Sequence, residues 1–281
     1  MNKKSIDHPY LVCILVFVIC CIARVFEYYC LRTDETIISE NIFHKLFGIA
    51  VLLITLKKFD LSMNQIGFIA SKILNTAKGL LLGAFCFSIS YSVEMGVLFL
   101  QHKNPSLDFY AGSFSMDDGG EIKQRAIGLI LLCVLFNIVN VIMEEGVFRG
   151  LYLNLTEPAS GFVKANFFAA FLFGIWHWVM PLRSFTDGDS SLTNLIVMGV
   201  GYVILAGIMG IKWGMLYKMS GCLWIGLGDH LFNNLIATNL VHVVADNEAD
   251  NMQIIRIVIA QLLSFAIVNC IYKKHKKKEE N

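Results

Sequence analysis

The sequence predicts an all-α polytopic membrane helical bundle of about eight transmembrane helices, and three observations lead there. Of 281 residues, 56% are hydrophobic and 16% are charged, at a mean hydropathy of +0.61. Soluble domains run at about 45–50% apolar and about 25% charged. Apolar windows long enough to cross a bilayer as helices recur at about 10–31, 42–56, 79–99, 126–155, 161–180, 192–217, 222–243 and 254–272. The prolines, Pro9, Pro105, Pro158 and Pro181, stand at window edges, where a residue lacking its N–H is tolerated.

In the first window, Lys3 and Lys4 precede an apolar run that starts at Tyr10 and continues past Ala23 without a small-residue cleavage pattern. It reads as a retained first helix and not as a removed signal peptide. The second window is short and holds His44 and Lys45. Segment 60–78 places apolar residues at helical spacing with lysines between them and predicts an amphipathic helix on the cytoplasmic surface. The fourth and fifth windows are joined by Glu157-Pro158-Ala159-Ser160-Gly161, a tight helical hairpin. Residues 273–281 form a basic cytoplasmic tail, a topology anchor that meets anionic lipid. Residues 1–281 are one membrane domain, with a motif-bearing core at about 126–243.

Eight spans put both termini on one face. If that face is cytoplasmic, it holds 15 of the 23 basic residues, including Arg149 and Lys212, and the opposite face collects acids such as Asp34, Glu35, Glu40, Asp117, Asp118, Glu121, Asp246, Glu248 and Asp250. That is the positive-inside asymmetry of a multi-pass protein, here of a bacterial plasma membrane. A net charge of +1 excludes a nucleic-acid partner, and the 8 cysteines, without a C-x-x-C pair, read as reduced packing residues.

Four carboxylates lie inside apolar windows: Glu94, Glu144, Glu145 and Asp229. An ionised carboxylate in hydrocarbon costs several kcal/mol unless it is paired or lines a wet cavity. Glu94 and Asp229 read as helix-bridging groups. Glu145 and Arg149 are an i,i+4 pair on one helix face, whereas Glu144 has no cation on its own helix. The hairpin register places Glu144 level with His177, about 24 Å from the turn at about 1.5 Å per residue. In the seventh window His230 and Asn234 share a face at compatible depth. Three helices therefore offer a carboxylate, two imidazoles and a carboxamide to one point.

These motifs, Glu144-Glu145-Gly146-Val147-Phe148-Arg149, Phe173-Gly174-Ile175-Trp176-His177 and His230-Leu231-Phe232-Asn233-Asn234, resemble those of the CPBP family. These are the CAAX proteases and bacteriocin-processing enzymes, also called the Abi family. The resemblance implies an intramembrane endopeptidase in which Glu144 and His177 activate a water and His230 with Asn234 stabilises the oxyanion. Glu145, Arg149 and Phe173 would be structural support. The substrate would be a peptide or a membrane protein, reaching a cavity that opens towards the cytoplasm. No cofactor is expected, because H-E-x-x-H is absent and an amide is a poor zinc ligand; a zinc site built on the two His and the Glu is the alternative. The alternative in function is a bacteriocin self-immunity or regulatory protein acting by partner binding.

Overall fold

The computed structural model describes residues 7–36, 40–112, 125–246 and 252–280. Lys3, Lys4, Asp117, Asp118, Glu121, Glu248 and Asp250, which enter the charge comparison, lie outside the described residues. Helix α1 (Pro9–Phe26) starts with proline in its first turn and runs into a π-helical turn, Glu27–Leu31. The Glu27 carboxylate then serves as the cap of α2 (Phe43–Lys58). It accepts from the backbone N–H groups of Phe43 (2.8 Å) and His44, and from Thr33 Oγ1 (2.6 Å) and His44 Nδ1 (2.6 Å). A helix N-terminus carries unsatisfied N–H donors and positive potential, so a buried carboxylate is at home there.

Segment 60–78 is not one amphipathic helix. Residues 61–69 form turns and loop, and a short 3₁₀ stretch, Ala70–Asn75, leads into α3 (Thr76–Leu100). Gly67 at φ +101° reverses the chain, and Ile66 and Phe68 are buried in the core. The apolar residues that mimic helical spacing are therefore anchors of a loop.

The remaining helices are α4 (Ile127–Glu144), which continues through a π segment, Glu145–Tyr152, into α5 (Leu153–Ser160); α6 (Phe162–Trp176); α7 (Val179–Thr186); and α8 (Leu192–Ser220). After these come α9 (Trp224–Leu231), prolonged by a second π segment, Phe232–Leu240, and α10 (Gln253–Glu280), into which the basic tail is drawn. Two short strands, β1 (Pro105–Phe109) and β2 (Val241–Ala245), pair antiparallel with Pro105 opposite Ala245. All eight apolar windows are mainly helical, the seventh ending in β2. Among the described residues, six helical stretches are long and apolar enough to cross a membrane: Pro9–Glu35, Ala70–Leu100, Ile127–Ser160, Phe162–Thr186, Leu192–Ser220 and Gln253–Lys278. The other two windows give α2, of 16 residues, and α9, of 8 residues plus 9 in its π extension.

Small residues let the helices approach. A Cβ on Gly79 of α3 would overlap the Ile225 carbonyl oxygen, and one on Gly228 would overlap that of Thr76, so α3 and α9 touch backbone to backbone. Without a hydrophobic force between helices in lipid, such close contact supplies the attraction. Buried ion pairs bridge elsewhere. Arg256 Nη1 of α10 meets Glu94 Oε2 of α3 at 2.6 Å, and Lys212 of α8 pairs with Asp229 of α9. The bridging roles expected of Glu94 and Asp229 are thus present. Lys212 and Arg149 are both buried inside the bundle, so neither belongs to the loop-charge asymmetry into which the sequence reading placed them.

Breaking one partner of a buried pair strands the other charge, at a cost of about 3–5 kcal/mol. Glu94→Gln should lower the thermal unfolding midpoint in detergent sharply. The double variant Glu94→Gln/Arg256→Gln should recover part of the loss.

Candidate functional site

Both helices that carry the central acid–imidazole contact change their winding next to it. The α4 helix gives way to a π turn immediately after Glu144, and α9 does so one residue after His230. Single π turns widen the helix locally and recur at functional sites. The added residue also shortens the arm of the hairpin below Glu144. The side chain that meets Glu144 from α6 is accordingly Trp176, whose Nε1–H donates to Oε1 at 2.9 Å, with His177 one residue further on.

A cavity of about 120 Å³ is lined by Glu144, His177, His230 and Asn234 together, with Arg24, His44 and Tyr202 also in its wall. The four predicted residues are thus brought to one place. Volume for about four waters, at ~30 Å³ each, admits a peptide unit and a water but no folded segment. Lining residues come from the end of α1 (Arg24), the start of α2 (His44), the end of α6 (His177) and the start of α10 (Ile257). The cavity therefore occupies the half of the bundle away from the chain ends.

Glu145, His230 and His177 are each held by a specific contact. The Glu145 carboxylate lies 3.3 Å from Arg149 Nη1 and 2.9 Å from His230 Nδ1. The opposite ring nitrogen of His230, Nε2, sits 3.4 Å from Glu144 Oε2. Trp213 stacks on the His230 ring at 3.9 Å, while Phe173 lies beneath the Arg149 guanidinium at 3.9 Å and edge-on to His230 at 6.1 Å. Glu145, Arg149 and Phe173 thus lie in contact with His230 or with one another. His177 donates from Nδ1 to the Phe173 carbonyl at 2.8 Å, which leaves Nε2 as the acceptor nitrogen.

Asn234 is oriented by a relay. Its Oδ1 accepts from Asn233 Nδ2 (2.8 Å), Asn233 Oδ1 accepts from Gln261 Nε2 (2.9 Å), and Gln261 Oε1 accepts from Lys212 Nζ (2.6 Å). With its oxygen engaged, the Asn234 amide has its NH₂ to donate.

Sequence reasoning missed several of these groups. Asn140, one turn before Glu144, donates to Oε2 at 3.5 Å, so Glu144 has a neutral partner on its own helix. That i,i+4 spacing was legible. Trp176, Lys212, Gln261 and Asn233 carry no periodic signal, since a Trp, an amide or one Lys in an apolar window reads as packing. Among the described residues, no three His, Cys, Asp or Glu side chains gather as a metal-holding group, and the fourth member here is a carboxamide.

Residues 126–236 match the family model described as "Type II CAAX prenyl endopeptidase Rce1-like". That stretch contains the acid pair, Arg149, both histidines and Asn234. No curated protein matches the chain. Taken with the six apolar helices, the match makes this an integral multi-pass membrane protein.

Proposed function

Because residues 126–236 belong to the family of CAAX-type intramembrane proteases, the CPBP family, we propose that this protein is an intramembrane endopeptidase with a glutamate-based, metal-free mechanism. The observation that carries this reading is the convergence of Glu144, His177, His230 and Asn234 on one cavity. Water sits between the Glu144 carboxylate and His177 Nε2. Glu144 takes a proton as the water oxygen attacks the scissile carbonyl carbon, and it returns that proton to the leaving nitrogen as the C–N bond breaks.

The developing oxyanion is met by the Nε2–H of His230 and the NH₂ of Asn234. Glu145 accepts the hydrogen bond from His230 Nδ1–H, so in this role the ring carries a proton on each nitrogen. Donors fixed in advance in a dry site lose no free energy to reorganisation as charge develops. The substrate is a peptide or a membrane protein presented as an extended segment. The donor set does not fit zinc, and no step goes through a metal.

Glu144→Gln should abolish cleavage of a peptide library by the purified protein. Asn234→Ala should reduce kcat by about 10²–10³. Wild-type levels in either variant, read by mass spectrometry of products, would remove these roles. Protein washed with a strong chelator should retain full activity, and one tightly held zinc whose removal stops cleavage would defeat the metal-free reading.

Both termini are proposed to be cytoplasmic, from the excess of bases at that face. Cys30, exposed at the far end of the first span, should then react with a membrane-impermeant maleimide in intact cells. Cys30→Ser should lose that labelling. Protection of Cys30 until the cells are broken would reverse the orientation.

A further inference from the structure

Five cationic side chains are buried in the described bundle: Arg24, Lys45, Arg149, Lys212 and Arg256. Four have a carboxylate partner, respectively Glu40 for Lys45, Glu145 for Arg149, Asp229 for Lys212 and Glu94 for Arg256. Arg24 is the exception. It is 4% exposed, and its Nε and Nη1 make no hydrogen bond. Its guanidinium is instead held between aromatic faces, 4.3 Å from the Trp176 ring and 5.3 Å from that of Tyr28.

The nearby acids are already committed. Glu27 caps α2 and binds His44, and Glu144 accepts from Trp176 and Asn140. An unpaired cation in such a place is costly, and cation–π contact offsets only about 2 kcal/mol of that. Arg24 also lines the same cavity as the four reacting side chains. One indole ring separates it from Glu144, since Trp176 contacts both.

We infer that Arg24 is a carboxylate-binding subsite of this cavity, taking a carboxylate of the peptide substrate close to the scissile bond. The inference rests on the endopeptidase reading for the identity of the ligand as a peptide. A guanidinium fork matches a planar carboxylate with two parallel hydrogen bonds, and a ligand of that kind supplies the partner the protein withholds. The carboxylate comes either from a free C-terminus or from an acidic side chain. In both cases the substrate is fixed at one end while the water attacks near the other.

The test uses the full-length protein in detergent and an N-acetylated apolar tripeptide in three forms. These are the free acid, the C-terminal amide, and the amide carrying one glutamate side chain. Binding is measured by calorimetry and cleavage by mass spectrometry. The free acid should bind about 10- to 100-fold more tightly than the plain amide. The glutamate peptide should match the free acid if the side chain is the source and match the plain amide if the C-terminus is.

Arg24→Gln should bind all three forms alike, and Arg24→Lys should keep part of the preference. Equal or absent binding of acid and amide by the wild type would overturn the inference without any variant. So would a preference that survives in Arg24→Gln, or stronger competition by octyl phosphate than by octanoate. Acid-selective binding without cleavage would sink the endopeptidase reading alone. Cleavage without acid preference would sink the subsite alone.

Discussion

The Glu145 carboxylate is shared between Arg149, one turn along its own helix, and His230 on α9. That sharing ties the α4–α5 arm to α9 at the depth where the cavity lies. It fixes the His230 ring by one nitrogen and so turns the other towards Glu144. Without the Arg149 cation, two adjacent carboxylates would face one imidazole in a low-dielectric interior. With it, Glu145 is neutralised within its own turn and Glu144 is left to the cavity. The aromatic packing follows the same geometry, with Trp213 stacked on the imidazole and Phe173 beneath the guanidinium.

The same constraint organises the rest of the bundle. A charge removed from water is stabilised by an opposite charge, and in this chain two of the buried pairs also join different helices. Arg256 with Glu94 joins α10 to α3, and Lys212 with Asp229 joins α8 to α9. The second pair reaches further, since Lys212 also donates to Gln261 and through Asn233 sets the orientation of Asn234. Support for the fold and preparation of the site are therefore carried by the same side chains.

Much of the site was legible because membrane burial makes polar residues conspicuous. Glu144, Glu145, His177, His230 and Asn234 stand out against apolar windows, and helical periodicity pairs Glu145 with Arg149 without any tertiary information. Asn140 beside Glu144 was legible by the same rule, although it was missed. The loop at 61–69 was misread because apolar residues such as Ile66, Ile69 and Ile73 recur at helical spacing, while Ile66 and Phe68 serve as anchors of a loop into the core. Periodicity reports which residues seek burial, and it does not say whether a helix or a turn delivers them.

By itself the sequence determined the class of structure and the cast of the site. Its apolar windows set the helices through the length needed to cross hydrocarbon, and its stranded carboxylates and imidazoles named the reacting groups. Only the tertiary structure decided the register between helices, because π turns at 145–152 and 232–240 shift side chains in a way that counting along an α-helix does not capture. It also decided which half of the bundle holds the cavity, and which buried cation was left without an acid. Pairing across helices depends on where distant segments meet in space, and a linear pattern does not carry that information.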